Sequence, residues 1–272
     1  MGDSESSRFG EVRERFGVDE LSGLAPRLEG LEGWEQFVDG QLWAAYRAVA
    51  VRVSEDESNG RAWELLGLVF RDLAKPKSAM NAFERAGLLV PLHAFSSICL
   101  AECYAAVGKA RLARDLYLSQ VEDLDVGADL LLLIASGLEA IDEPHLAMET
   151  CRKASYLDPD SGQPHYDMSY YATKCGAQLT LVESLAWRAI ELDPTNVHFR
   201  VGLASLLIRL KRPQKAHWVI ARLEERQFSE ITCECCLGRL KELYLSVADV
   251  QRSRWCEARL CVLAGLGDGQ ST

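Results

Sequence analysis

Cys233, Cys236, Cys256 and Cys261 come nearest, in this 272-residue chain, to a set of side chains whose type and spacing could do chemistry. Their pattern, Cys-x2-Cys-x19-Cys-x4-Cys, approximates the paired thiolates of a structural zinc site, where four ligands surround one ion tetrahedrally. The surrounding residues argue the other way. ITCECCLGRLKELYL and SRWCEARLCVLAG both read as unbroken helix, whereas a zinc knuckle needs a tight turn between its ligands, and free cysteine packs well as a small apolar side chain. Packing is the expectation for all four, and for Cys99 and Cys103, one helical turn apart. No metal and no cofactor are expected.

Other chemistries are poorly served. Gly108-Lys109 lacks the phosphate-loop partners, with Cys103 in place of the leading glycine and Ala110 in place of Ser or Thr. Neither a G-x-S-x-G elbow, nor H-E-x-x-H, nor a dinucleotide fingerprint occurs. His93, His145, His165, His198 and His217 are scattered and stand mostly near helix starts, where histidine caps a helix or meets water. Glu122, Asp123, Asp125, Asp142 and Glu143 sit at polar breaks, as solvated turns and helix N-termini require. The chain is therefore expected not to be an enzyme.

The elements that would position any site repeat with a fixed period. Gly60 to Pro91, GRAWELLGLVFRDLAKPKSAMNAFERAGLLVP, supplies the pattern. Its large residues Trp63, Leu66, Phe70 and Phe83 fall at helical intervals, and its small ones, Gly67 and Ala79, fall where two antiparallel helices would cross. The crossing residue recurs as Ala101, Ala135, Ser169, Ala204 and Gly238, in steps of 34, 34, 34, 35 and 34 residues. Its partner on the second helix recurs as Ala113, Ala147, Val182 and Ala216, and the helix-ending residue as Asp125, Pro159 and Pro194. The one extra residue falls in the turn Cys175 to Gln178. Leu31, Trp34, Phe37 and Val38, then Leu42, Ala45, Tyr46, Val49 and Val53, suggest a poorer copy ahead of the first clear one.

Trp63, Leu66, Gly67, Phe70, Ala79, Phe83, Ala86 and Pro91 together resemble the tetratricopeptide repeat (TPR), with Phe70 where Tyr is commonest. The resemblance implies an all-α, right-handed α-solenoid of about 5–7 helix-turn-helix pairs. It divides the chain into a mobile arm (1–25), a divergent N-terminal capping repeat (26–59), a repeat array (60–230), a divergent C-terminal repeat or cap (231–266) and a tail (267–272). Within the arm, Met1-Gly2 opens a loose match to the myristoylation pattern, but an acidic residue follows and no basic cluster supports it.

A net charge of -10 and a pI near 5.1 disfavour nucleic acid and anionic membrane as partners, since both need a surplus of Lys and Arg. The N-terminal residues lack an apolar core, and the run Leu130 to Ile134 is too short to span a bilayer. Nine irregularly spaced cysteines read as reduced thiols. A cytoplasmic location without membrane insertion is expected.

The resemblance also implies that the first helix of each pair lines a concave groove. Projection of the helical spacing places Arg61, Glu64, Phe95, Ile98, Glu102, Leu132, Ser136, Glu139, Tyr166, Tyr170, Thr173, His198, Val201 and Ser205 there. With Glu64, Leu68, Ile98 and Glu102 on the early helices, the carboxylate clamp that some family members use on chaperones looks absent. The expected role is a non-catalytic adaptor or scaffold, binding a protein or peptide with apolar anchors and basic or neutral flanks. Two alternatives are a TPR-type chaperone shielding a secreted or unassembled partner, and a zinc-binding or enzymatic protein using the C-terminal cysteines.

Overall fold

Helix starts are written into the turns of this chain. Asn59 Oδ1 accepts from Ala62 N–H at 3.0 Å, Asn196 Oδ1 from His198 N–H at 3.0 Å, and Asp249 Oδ1 from Arg252 N–H at 3.2 Å. Each satisfies a main-chain donor that has no partner inside its own helix. His93 does the same through Nδ1, which accepts from Phe95 N–H at 3.2 Å. Pro76, Pro144 and Pro213 each occupy the first position of a second helix, where the missing N–H costs nothing.

The computed structural model describes residues 27–221 and 223–265. The expected arm and tail, with Gly2, lie outside the described residues. The described residues are helical with no strand, and they divide into two compact units, with the division in the chain between Leu157 and Asp158.

The first unit holds α1 (Trp34–Val38), α2 (Leu42–Glu55), α3 (Gly60–Asp72), α4 (Pro76–Leu89), α5 (Ala94–Ala106), α6 (Ala110–Glu122), α7 (Ala128–Ala140) and α8 (Pro144–Leu157). Successive helices pack as four hairpins, and α3, α5 and α7 also touch in sequence along one layer. Apolar residues at 3.6-residue spacing face inward, so Leu65, Leu68, Phe83, Ile98, Tyr117, Leu131 and Ile134 are fully buried. The second unit holds α9 (Gln163–Lys174), α10 (Leu179–Leu192), α11 (Val197–Arg209), α12 (Pro213–Ile220), a short α13 (Glu225–Glu230), α14 (Glu234–Ser246) and α15 (Val250–Leu263). Phe199, Phe228, Leu237, Leu240 and Tyr244 are central to its core. The buried Tyr244 hydroxyl donates to Ile220 O at 2.8 Å.

The crossing residues behave as their size demands. Ala101, Ala135 and Ala204 have no exposed surface, and a Cβ added to Gly67 would fall 2.6 Å from the Phe83 ring. In the first pair this position is Gly33, where an added Cβ would lie 2.9 Å from Ala45 O.

A second periodicity is visible only in the backbone. The turn inside each pair contains one left-handed residue: Gly40, Ala74, Gly108, Asp142, Gly176, Lys211 and Ala248, with φ from 55° to 81°. Up to Gly176 they are 34 residues apart, and the extra residue before α10 follows Gly176. The final step, from Lys211 to Ala248, is 37 residues. Counting back from Ala248 as in the other pairs makes Lys241, not Gly238, the counterpart of Gly67. Gly238 correspondingly has nothing within 4 Å of an added Cβ. The insertion of α13 moved the register, and the sequence reading of Gly238 is corrected.

Four of these seven turn residues are not glycine, and a left-handed backbone costs an L-residue roughly 1–2 kcal/mol. Glycine gives back roughly 0.5–1 kcal/mol through a freer unfolded chain. Ala74→Gly and Ala248→Gly are therefore each expected to stabilise the chain by about 0.5–1 kcal/mol, read from urea denaturation midpoints. A lowered midpoint in both would mean that these turns do not hold the left-handed conformation.

Candidate functional site

A groove of about 600 Å³ opens in the second unit, between α9, α10, α11 and α14. Tyr166, Ser169, Tyr170, Thr173 and Lys174 line it from α9, and Val182 and Ala186 from α10. Gly202, Leu203, Ser205, Leu206 and Arg209 on α11, with Arg239 on α14, complete it.

The two tyrosines differ in what holds them. Tyr166 lies against α11, its ring 4.9 Å from Phe199 and 5.0 Å from His198 between centroids. Its hydroxyl comes so near the α11 backbone that a Cβ on Gly202 would be 2.4 Å away, so glycine there is what admits the ring. Tyr170, 49% exposed, stands edge-on to Tyr171 at 5.5 Å, and Lys174 Nζ lies over its ring at 5.2 Å. Ser169 and Thr173 donate to Tyr166 O and Ser169 O of their own helix, which leaves their oxygens as acceptors toward the groove.

All three charged side chains of this lining are cationic: Lys174, Arg209 and Arg239. In a chain of net charge -10 that is a local reversal of sign. No ion pair joins Arg209 or Arg239 to a carboxylate among the described residues.

Of the residues projected onto a groove, Tyr166, Tyr170, Thr173 and Ser205 are brought together here, and His198 borders them through the Tyr166 ring. Five others are buried and correct the projection. Glu64, Phe95, Ile98, Leu132 and Val201 pack between neighbouring helices, because the first helix of each pair is covered on two sides and the exposed strip is narrower than a helical projection suggests. Glu64, with no exposed surface, accepts from His93 N–H at 2.9 Å and pairs with Arg27 at 3.4 Å. Glu102 is engaged as well, by Arg71 Nε at 3.0 Å. Arg61 and Ser136 are exposed and Glu139 is half-buried, but in the first unit the cavity lined by Arg71, Glu102 and Cys103 has only about 10 Å³, no more than one water.

Sequence projection stopped one turn short. Lys174 and Arg209 follow Tyr170 and Ser205 by four residues on the same helix faces. Arg239 was out of reach, because it depends on the shifted register of α14.

The cysteines are rearranged relative to the sequence pattern. Cys256 is buried in the core of the second unit and Cys261 is exposed, and neither joins the thiols that converge, which are Cys233, Cys235 and Cys236. The segment read as continuous helix is interrupted: α14 begins at Glu234, and Cys233 caps it in an extended conformation. Cys99 and Cys103 are buried, and burial above all pushes both thiols up, Cys103 to about 12, so neither supplies a nucleophilic thiolate at neutral pH.

No family model matches the chain, and no curated protein matches it. Solved structures do. The C-terminal part of a TPR repeat-containing protein from Cytophaga hutchinsonii is similar over 87% of this chain and 95% of that one, with a TM-score of 0.58 and 13% identity. PilF of Pseudomonas aeruginosa is similar over 78% of this chain and 94% of that one, at a TM-score of 0.53 and 16% identity. A fragment of MamA from Desulfovibrio magneticus is similar over 60% of this chain and 92% of that one, at a TM-score of 0.53 and 16% identity. At such identities the likeness is one of fold. Together with the 34-residue recurrence of helix pair, crossing residue and left-handed turn, it gives this chain the tetratricopeptide-repeat fold.

Proposed function

We propose that the chain is a non-catalytic interaction module whose second unit takes an extended segment of a partner protein, apolar at one position and acidic at others. The observation that carries this reading is the groove lining, which sets exposed Tyr170 and half-buried Leu206 beside Lys174, Arg209 and Arg239 with no carboxylate among them. Tyrosine offers contact area at low entropic cost, and guanidinium groups hold carboxylates in bidentate fashion. The sign is opposite to the basic or neutral flanks drawn from the sequence. That expectation rested on the net charge of -10 and on acidic residues projected onto the groove, of which Glu102 is already paired with Arg71. The Ser169 and Thr173 hydroxyls donate to carbonyls of their own helix rather than to a base, which supports recognition rather than catalysis. No helix among the described residues is long and apolar enough to cross a membrane, in keeping with a partner met outside the bilayer.

The test is a panel of ten-residue peptides carrying one aromatic or leucine anchor flanked by Glu and Asp, compared with the same peptides flanked by Lys. Acidic peptides are expected to bind at least tenfold more tightly, with affinity falling as salt rises. Arg209→Glu combined with Arg239→Glu should remove the preference. Tyr170→Ala should cost about 2 kcal/mol in binding with the helical signal intact. Preference for the lysine peptides, or indifference to both arginine reversals, would refute the reading.

A further inference from the structure

Three thiols and an imidazole meet beside the groove, at the junction of α11 with the start of α14. The Sγ atoms of Cys233, Cys235 and Cys236 lie within 4.8 Å of one another, with Cys233 and Cys235 2.9 Å apart. From α11, His198 Nδ1 comes to 3.0 Å of Cys236 Sγ. We propose that Cys233, Cys235, Cys236 and His198 form a Cys3His site for a single zinc(II) ion, fastening α14 to α11.

Geometry comes first. Zinc–sulfur bonds of about 2.3 Å in a tetrahedron put ligand sulfurs roughly 3.8 Å apart. The thiols here span separations from 2.9 Å to at most 4.8 Å, on either side of that value, and His198, which meets Cys236, would have to turn its ring toward Cys233 and Cys235 to complete the site. The unbroken helix that argued against zinc is interrupted just before the ligands: Ile231 and Cys233 are extended, and the helix begins only at Glu234. Cys233 can thereby face back across the first turn toward Cys236, while His198 arrives from a separate helix.

One backbone donor already points at a ligand sulfur. Cys236 N–H donates to Cys233 Sγ at 3.4 Å, an N–H···S bond of the kind that supports a metal-bound sulfur from the second shell of groups around it. Binding would release the thiol protons to solvent. Three sulfurs and one imidazole, with no oxygen ligand, suit zinc in a closed four-coordinate site, which marks the role as structural rather than catalytic.

The experiment uses the full chain, purified reduced, without chelator and without a histidine tag. Mass-spectrometric metal analysis should find about one zinc per chain. Exchange into cobalt(II) should give the strong visible bands of a tetrahedral thiolate complex. Cys235→Ser, at an exposed position, and His198→Ala should each lower zinc retention against a competing chelator at least tenfold, with helical circular dichroism preserved. Cys261→Ser should retain the metal fully. The site is refuted by an absence of both zinc and the cobalt spectrum, by metal that survives Cys235→Ser, by loss in Cys261→Ser, by retention of an ion other than zinc, or by a Cys233–Cys235 disulfide in the purified chain.

Discussion

Arg27→Ala is expected to lower the stability of the first unit by about 2–3 kcal/mol. The residue stands ahead of α1, its Nη2 donating to Pro91 O at 2.6 Å and meeting the Glu64 carboxylate at 3.4 Å. Glu64 has no exposed side-chain surface, so removal of the guanidinium strands a charge away from water. Breaking a fully buried pair costs roughly 3–5 kcal/mol. The smaller figure follows because the Arg27 side chain is 31% exposed and Glu64 keeps the His93 N–H at 2.9 Å. A double replacement, Arg27→Met with Glu64→Leu, removes both charges but leaves that N–H without its acceptor, an unpaired donor worth about 1–3 kcal/mol. It should therefore recover only part of the loss. Urea midpoints for the three proteins check the ordering, and an unchanged midpoint in Arg27→Ala would show that the ion pair carries no stability.

Gly137→Ala should destabilise by about 2–4 kcal/mol, although alanine is the better helix former by about 1 kcal/mol. Gly137 lies in the middle of α7, where an added Cβ would fall 2.3 Å from both Cζ and Oη of Tyr117. Tyr117 is 1% exposed and has no room to withdraw. Its hydroxyl is buried without a hydrogen-bond partner among the described residues. Tyr117→Phe alone is then expected to be neutral or slightly stabilising, and to recover part of the Gly137→Ala loss by deleting one of the three clashing atoms. Gly87→Ala provides the contrast: on α4 the nearest atoms to an added Cβ belong to Leu92 at 3.8 Å, and the helix preference should appear as a gain of up to about 1 kcal/mol. If both glycine variants shift the midpoint equally, close packing at Gly137 is not the cause.

The period of the chain was legible because its marker is a size constraint. Two helices cross at Gly67, Ala101, Ala135, Ser169 and Ala204 only if the side chain is small, and small residues can be counted in a sequence. The left-handed turn is a constraint on φ instead, and Ala74, Asp142, Lys211 and Ala248 meet it with side chains that give no sign of it. Gly238 misled for a related reason: glycine is frequent, and the three additional residues around α13 were silent until the backbone was traced. Among the projected groove residues, Tyr170 was legible as an exposed aromatic, whereas Glu64 on the equivalent face of α3 was not legible as buried, since its partners Arg27 and His93 are 37 and 29 residues away. The contact of His198 with the thiol cluster was hidden by the same distance effect, and the cluster itself by reading its segment as unbroken helix. Cys235 looked like an ordinary helical position, and His198 is 38 residues from Cys236.

The repeat has a kinetic consequence. Hairpins that pair with their immediate neighbours close loops of a few tens of residues, so little chain entropy is lost before contacts begin to form, and topologies of low contact order fold fast. Arg27 departs from that economy: its bond to Pro91 O reaches over 64 residues, nearly two repeats. A contact of that span is worth making only once α1 to α4 are in place. It therefore acts as a clasp on a finished unit, slowing the unravelling of its first hairpins rather than speeding their assembly.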